Sequence, residues 1–127
     1  MITPLHVPSA PPAVGPYSHA VLCSGRMLYL SGQIALDDSG TLIDGSVTEQ
    51  TRRALQNVST ILASQGATLQ NVVKTLVLLQ NMDDFAAMNA AYAEAFGTHQ
   101  PARSAFAVSA LPKGALVEIE VIACLES

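Results

Sequence analysis

The apolar positions of this chain repeat with two different periods, which predict an alternation of strands and helices. Helical spacing is clearest after Ser46, where Glu49 completes a capping-box pattern three residues later and Gly66 can close the far end. The apolar positions of this first helix are Leu55, Val58, Ile61 and Leu62. A second helix is predicted after residues 81–84, which offer capping side chains. Its inner face consists of Phe85, Met88, Tyr92 and Phe96.

Segments rich in aliphatic and β-branched residues are predicted to be strands. They are residues 21–23, 27–30, 72–79, 105–110 and 116–125. The first two flank a short turn with glycine and are predicted to pair as a hairpin, the second continuing through residues 31–34. The first sixteen residues carry five prolines, which remove backbone donors, so this segment is predicted to be an extended arm. The order ββαβαββ indicates an α+β fold.

Two helices separated by one strand are predicted to pack on the same face of a mixed sheet, because such crossovers are right-handed. A chain of 127 residues is the size of one domain, which we expect to span residues 1–127. Half of the residues are apolar and only 13% are charged, too few to cover a monomer of this size. We therefore expect the open face of the sheet to meet other copies of this chain in closed symmetry.

The charge of the chain limits the classes of partner that it is expected to bind. A net charge of −4 argues against binding to nucleic acid or to an anionic membrane, since both need clustered cations. Cys23 and Cys124 lack metal-ligand spacing and are interpreted as thiols in a reducing compartment. The start of the sequence does not resemble a signal peptide and the apolar stretches are short, so we expect a cytoplasmic protein without a membrane span. Without a glycine-rich phosphate loop or a ligand cluster, no cofactor and no metal are expected.

Arg103 is the most informative single residue. Only six lysines and arginines are present, and this arginine precedes the apolar run 105–108. Its planar guanidinium matches a carboxylate with two parallel hydrogen bonds. One interpretation is an internal salt bridge, and the other is a site for a small anionic ligand.

Polar side chains elsewhere could complete such a site. Glu118 and Glu120 lie two apart in the last predicted strand and share one face, as a solvated face or as candidates for acid–base chemistry. Ser31 and Gly32 lie at a predicted strand end, where glycine either lets a ligand approach the backbone or marks a bulge. Ser104 has no identifiable histidine partner, so no hydrolase triad is indicated.

Two further residues allow both a structural and a ligand-binding interpretation. Tyr17, after Pro16, is either a packing anchor or a side chain that closes over a ligand. Asn89 is polar in an apolar-rich helix and either bonds a ligand or faces water.

Several short stretches together resemble the RidA/YjgF family. They are Gly15–Ser18, Ser31–Ile34, Phe85–Tyr92, Pro101–Ser104 and Leu111–Glu120. The resemblance implies a chorismate-mutase-like fold, assembled as a homotrimer with three clefts at subunit interfaces. It also implies hydrolysis of reactive enamines and imines, such as 2-aminoacrylate, to 2-oxo acids and ammonia without a cofactor.

The resemblance also implies roles for individual residues. Arg103 would bind the substrate carboxylate and Glu118 would position or activate water. The cleft would be lined by Tyr17, Ser31, Gly32 and Asn89. The chain departs from the family pattern at Ala105, where many members carry cysteine, so no thiol chemistry is expected there. Gln100 replaces a phenylalanine that is frequent before Pro101, and the loop from Tyr92 to Arg103 is shorter than in some relatives, which leaves the substrate preference open.

Two alternatives of different classes stay open at this point. A trimer of the same fold can bind small carboxylates or regulate a partner enzyme without turnover. An endoribonuclease or translation-inhibitor activity has also been attached to this family, but the acidic charge and the absence of a basic, aromatic groove disfavour it.

Overall fold

The computed structural model describes residues 1–126. Its strands are β1 (Ile2–Leu5), β2 (Ala20–Cys23), β3 (Arg26–Tyr29), β4 (Val72–Leu79), β5 (Ala102–Ala107) and β6 (Val117–Leu125). Its helices are α1 (Val47–Ala63) and α2 (Phe85–Phe96), with short 3₁₀ turns at Leu69–Asn71, Met82–Asp84 and Pro112–Gly114. None of these helices combines the length and the apolarity that a bilayer crossing requires.

The main sheet is mixed and has the strand order β3-β6-β4-β5. Only β4 and β5 run parallel, because α2 connects them as a crossover. Both helices pack on one face of this sheet, as predicted, and the core lies between them and the inward-facing side chains of β4 and β6. Ser46 caps α1 through the predicted capping box with Glu49.

The burial of β6 alternates and assigns its residues to two faces. Val117 and Ile119 are fully buried under the helices, so Glu118 between them points to the opposite, open face. That open face carries large apolar side chains that one chain leaves in solvent: Tyr29 is 71% exposed and Phe106 is 47% exposed. The open face expected from the sequence is therefore present and is apolar enough to be an interface.

The predicted hairpin between residues 21–23 and 27–30 is wrong. The first of these strands, β2, pairs instead with β1 in a separate two-stranded sheet, whereas β3 pairs with β6. At the turn, the Ser24 amide donates to the Met1 carbonyl, and Gly25 has a φ of 145° against the Leu125 backbone. The chain therefore leaves one sheet and enters the other at Gly25 rather than turning back on itself.

The strand β3 ends at Tyr29, before the predicted continuation through residues 31–34. Pairing with β6 resumes at Gln33, which is bridged to Ile119. Between these two pairs the chain advances four residues, from Tyr29 to Gln33, while β6 advances three, from Ile122 to Ile119. One extra residue is therefore accommodated as a bulge around Ser31 and Gly32.

Candidate functional site

Arg103 lies inside β5 rather than ahead of it. Its register partner on β4 is Thr75, a buried residue on the helix-covered face, so the Arg103 side chain points toward α2. There its Nη1 donates a hydrogen bond of 2.7 Å to the Asn89 carbonyl oxygen Oδ1. Asn89 therefore does not simply face water. Its side-chain oxygen fixes one edge of the Arg103 guanidinium.

Three aromatic rings surround the guanidinium. The Arg103 Cζ atom lies 4.9 Å from the ring centre of Tyr92 and 5.7 Å from those of Tyr17 and Phe85. Rings at this range attract a cation through their negative faces. Together with Arg103 and Asn89, these rings form what we call the Arg103 cluster.

Tyr92 is the rigid member of this cluster. It is fully buried, and its hydroxyl shares a hydrogen bond of 2.8 Å with the Thr75 hydroxyl. Burial raises the pKa of Tyr92 to about 12, partly offset by the Thr75 bond and by the nearby Arg103 charge. The phenol is therefore neutral across the physiological range and contributes its ring face rather than a charge.

Arg103 has no acidic partner within residues 1–126. The salt bridges among residues 1–126 involve the amino terminus, Arg52 and Arg53, and none includes Arg103. Partial burial lowers the pKa of Arg103, while Tyr92 and Tyr17 act in the opposite direction. The internal salt bridge considered from the sequence is thus not formed, and a half-buried cation is left able to accept an external anion.

The loop before β2 closes one side of the Arg103 cluster. A Cβ atom on Gly15 would lie 3.1 Å from Arg103 Nη2, so the guanidinium occupies the space beside this glycine. The Tyr17 hydroxyl accepts a hydrogen bond of 3.2 Å from the Val14 amide. Next to it, Ser18 is buried and bonded to the Gln100 and Pro101 carbonyls, which ties the loop to the start of β5.

Phe85 and Tyr92 also belong to this site, although their helical spacing predicts only core positions on the inner face of α2. The signal was nevertheless present: Phe85 lies four residues before Asn89 and Tyr92 lies three residues after it, so all three share one helix face.

Glu118 and Gly32 form a second group of candidate residues. A Cβ atom built on Gly32 would lie only 2.0 Å from Glu118 Oε2, so the carboxylate occupies the space directly above this glycine. Ser31, next to it in the bulge, is exposed. We call these three residues the Glu118 cluster. The bulge interpretation of Gly32 is confirmed, and the group that lies above the glycine is the Glu118 side chain; approach of a ligand to this backbone stays a prediction.

The two clusters lie far apart within one chain. Arg103 is aligned with Thr75 and Val121 across the sheet, whereas Glu118 lies three residues further along β6 and two strands away. With about 4.8 Å between strands and 3.3 Å per residue, the backbones of Arg103 and Glu118 are about 14 Å apart. Their side chains also point to opposite faces. One chain therefore brings Tyr17, Asn89 and Arg103 together, and separately Ser31, Gly32 and Glu118.

Comparison with known proteins identifies the family. The family model described as Endoribonuclease L-PSP matches residues 7–125. The human 2-iminobutanoate/2-iminopropanoate deaminase is 49% identical over 115 residues, which cover 90% of this chain and 83% of the human protein. The chain belongs to the RidA/YjgF family.

Solved structures of the RidA/YjgF family match the fold as well. A Rid family protein from Yersinia pestis, YyfB, superimposes with a TM-score of 0.88 at 34% identity over 98% of both chains. The Escherichia coli protein TdcF, solved with bound serine, has a TM-score of 0.75 at 35% identity and covers 92% of this chain and 94% of its own. These matches confirm the predicted α+β fold with two helices on one face of a mixed sheet.

Proposed function

We propose that this chain is a deaminase that hydrolyses reactive imines and enamines of small 2-amino acids to 2-oxo acids and ammonia. The observation that carries the proposal is a half-buried guanidinium that has no acidic partner within residues 1–126 and lies among three aromatic rings. Such a group is suited to a ligand carboxylate. The human relative's name as a 2-iminobutanoate/2-iminopropanoate deaminase and the serine bound to TdcF support substrates of this size and charge.

The residues of the two clusters can divide the reaction between them. Arg103 would hold the substrate carboxylate through a charge-assisted pair of hydrogen bonds. An enamine first gains a proton at its terminal carbon and becomes the protonated imine, whose carbon is electrophilic, so Glu118 need only take a proton from the attacking water. A new carbon–oxygen bond forms and the proton returns to the nitrogen of the resulting aminol. The carbon–nitrogen bond then breaks, and the released ammonia takes the proton of the aminol hydroxyl and leaves as ammonium. The product is the 2-oxo acid.

The direct test is turnover of an imine generated in place. A serine dehydratase supplied with serine releases 2-aminoacrylate, whose decay is followed by its ultraviolet absorbance with and without this protein. We expect the protein to accelerate decay and release of pyruvate. Saturable binding of pyruvate without acceleration would instead select the non-catalytic carboxylate-binding trimer. Cleavage of RNA dependent on Arg103 would select the ribonuclease alternative, which the net charge of −4 disfavours.

We further propose that each site is built from two copies of the chain. Arg103 lies on the edge strand β5, and Gly32 follows the opposite edge strand β3. An interface that brings one edge to the other edge of the next copy is head-to-tail, and such contacts form a ring when the rotation between copies closes. A homotrimer, as the family resemblance implies, would place three sites between neighbouring subunits and cover the exposed Tyr29 and Phe106. Assignment to the cytoplasm and a single domain over residues 1–127 stay predictions.

Mixed trimers test the shared site. Arg103→Ala and Glu118→Gln subunits, each with at most a few per cent of wild-type activity expected alone, are co-expressed with different tags, and trimers that carry both tags are purified. Each mixed trimer contains one interface at which the intact Arg103 of one subunit meets the intact Glu118 of its neighbour. We therefore expect about one third of the wild-type activity per mixed trimer. If both residues serve the same site within one chain, no mixing restores activity, and this result would contradict the shared site.

The position of Gly32 gives a separate prediction. Gly32→Ala introduces a Cβ atom into the space that the Glu118 carboxylate occupies, 2.0 Å from Oε2. The glutamate must move, and we expect turnover to fall at least tenfold with a smaller change in affinity for 2-oxobutanoate. Circular dichroism and the trimer mass control for folding. Gly45→Ala is the comparison variant, because it also adds a Cβ atom beside a glutamate side chain, 3.2 Å from Glu49, but away from both clusters. Unchanged turnover in Gly32→Ala would show that the observed position of Glu118 is not the working one.

A further inference from the structure

The N-terminal arm, residues 6–16, is held to the rest of the chain in an unusual way. Its prolines cannot donate backbone hydrogen bonds, so a regular ladder cannot fix it. Instead, the two ring nitrogens of His19 bind the arm at two points. The Val7 amide donates to Nδ1 at 2.8 Å, and Nε2 lies 2.6 Å from the Pro11 carbonyl oxygen.

These partners determine the proton positions on His19. An amide can only donate and a carbonyl can only accept, so Nδ1 is the acceptor and Nε2 carries the hydrogen. The ring is therefore a neutral, singly protonated bridge with both nitrogens in use. Its own backbone is anchored, because the His19 amide donates to the Leu5 carbonyl at 3.1 Å immediately before β2 begins.

The arm in turn reaches the Arg103 cluster. Its Val14 amide donates to the Tyr17 hydroxyl, and the Tyr17 ring lies over the Arg103 guanidinium. Ser18 fixes the backbone beside Tyr17, and the Val14 amide is bonded to the hydroxyl at the tip of the Tyr17 side chain.

The arm borders an open cavity of about 530 Å³, so it is not closely packed along its whole length. Among the residues that line it are Pro8, Ala10, Pro12, Tyr17, His19 and Gln100.

We propose that His19 is a positioning residue that orients Tyr17 over Arg103 through the arm, and so sets the affinity for the substrate carboxylate. The inference rests on the proposed function of Arg103 as the carboxylate receptor. His19 touches neither Arg103 nor Glu118 directly, so its loss should weaken ligand binding while the bond-making steps continue. A purely structural residue would instead lower stability without a selective effect on binding.

A double-mutant cycle with Tyr17 tests this coupling. The dissociation constant for 2-oxobutanoate is measured by calorimetry for the wild type, His19→Ala, Tyr17→Ala and the double variant. We expect His19→Ala to raise the constant about fivefold to tenfold in the wild-type background and by less than twofold in the Tyr17→Ala background. In imine turnover, KM should rise, whereas kcat should stay within about twofold of the wild-type value. An equal factor in both backgrounds would overturn the proposal.

Three further variants sharpen the cycle. His19→Gln can offer one acceptor and one donor from its amide, and we expect it to bind 2-oxobutanoate within about twofold of the wild type. His6→Ala is the matched control, because its ring lies 6.2 Å from that of His19 and also lines the cavity; we expect no change. If His19→Ala does not fold, His19→Asn, whose shorter side chain can replace the bond at the Nδ1 position but not the one at Nε2, should show the same dependence on Tyr17. Unchanged binding in a folded His19→Ala would also overturn the proposal.

Hydrogen exchange separates this inference from the proposed function. In His19→Ala the Val14 amide should exchange at least tenfold faster, because its bond to the Tyr17 hydroxyl is no longer held in place. Unaltered exchange at Val14 would refute the link from His19 to Tyr17, whatever the ligand data show. Arg103→Ala is included in the calorimetry. If that variant binds 2-oxobutanoate as the wild type does, the carboxylate receptor is wrongly assigned, and the exchange result still decides the role of His19.

Discussion

Alanine in place of Arg103 is expected to lower kcat/KM for imine hydrolysis by roughly 30-fold to several thousandfold, equivalent to about 2–5 kcal/mol. The reason is the loss of a charge-assisted, two-pronged contact to the substrate carboxylate inside a partly desolvated cluster. The protein should remain folded, since Arg103 makes its one side-chain hydrogen bond to Asn89 and no salt bridge within residues 1–126. Steady-state kinetics with imine generated in place provide the measurement.

Two comparison variants separate charge from geometry. Arg103→Lys keeps a positive charge but loses the planar fork and the bond pattern to Asn89, so we expect it to recover only part of the activity. Arg52→Ala removes an arginine of equal charge whose partner is Glu94 on the helix surface, and it should leave kcat/KM unchanged. A folded Arg103→Ala that turns over substrate at the wild-type rate would remove the basis of the proposed function.

Local sequence patterns were sufficient for the elements but not for all of their pairings. The capping box at Ser46 and the apolar spacing of both helices depend on residues close in sequence, and the structure contains both. Strand pairing depends on distant segments: β2 pairs with β1 and β3 pairs with β6, so the short turn between β2 and β3 did not make a hairpin. The glycine in that turn was compatible with either outcome, and only the competing partners decided it.

The candidate site shows the same limit. Arg103 was recognised because a cation is unexpected beside an apolar strand, and Asn89 because an amide is unexpected in an apolar helix. Phe85 and Tyr92 did not stand out in this way. Aromatic residues on the inner face of a helix have the same spacing whether they fill the core or line an anion site. The distance between Arg103 and Glu118 within one chain followed from strand order, which the sequence pattern does not contain.

Replacing Glu118 with glutamine is the second change for which a large effect is expected. Glutamine has nearly the same shape as glutamate but cannot take a proton from water, so we expect kcat to fall by about 10²–10⁴-fold. Affinity for 2-oxobutanoate should change little, because the carboxylate receptor belongs to the Arg103 cluster. Pre-steady-state kinetics with imine in excess would separate the slowed chemical step from product release.

Glu120→Gln is the matched control for this prediction. Glu120 lies two residues further along β6 on the same open face, but it is exposed and stands opposite Leu76, away from Gly32. The two substitutions remove the same charge from the same face, so any general electrostatic effect appears in both. We expect only Glu118→Gln to lose turnover, because only Glu118 is held above the bulge. Equal losses would indicate that the negative charge of the open face as a whole, rather than Glu118 itself, supports turnover. A loss confined to Glu120→Gln would identify Glu120 as the proton acceptor instead.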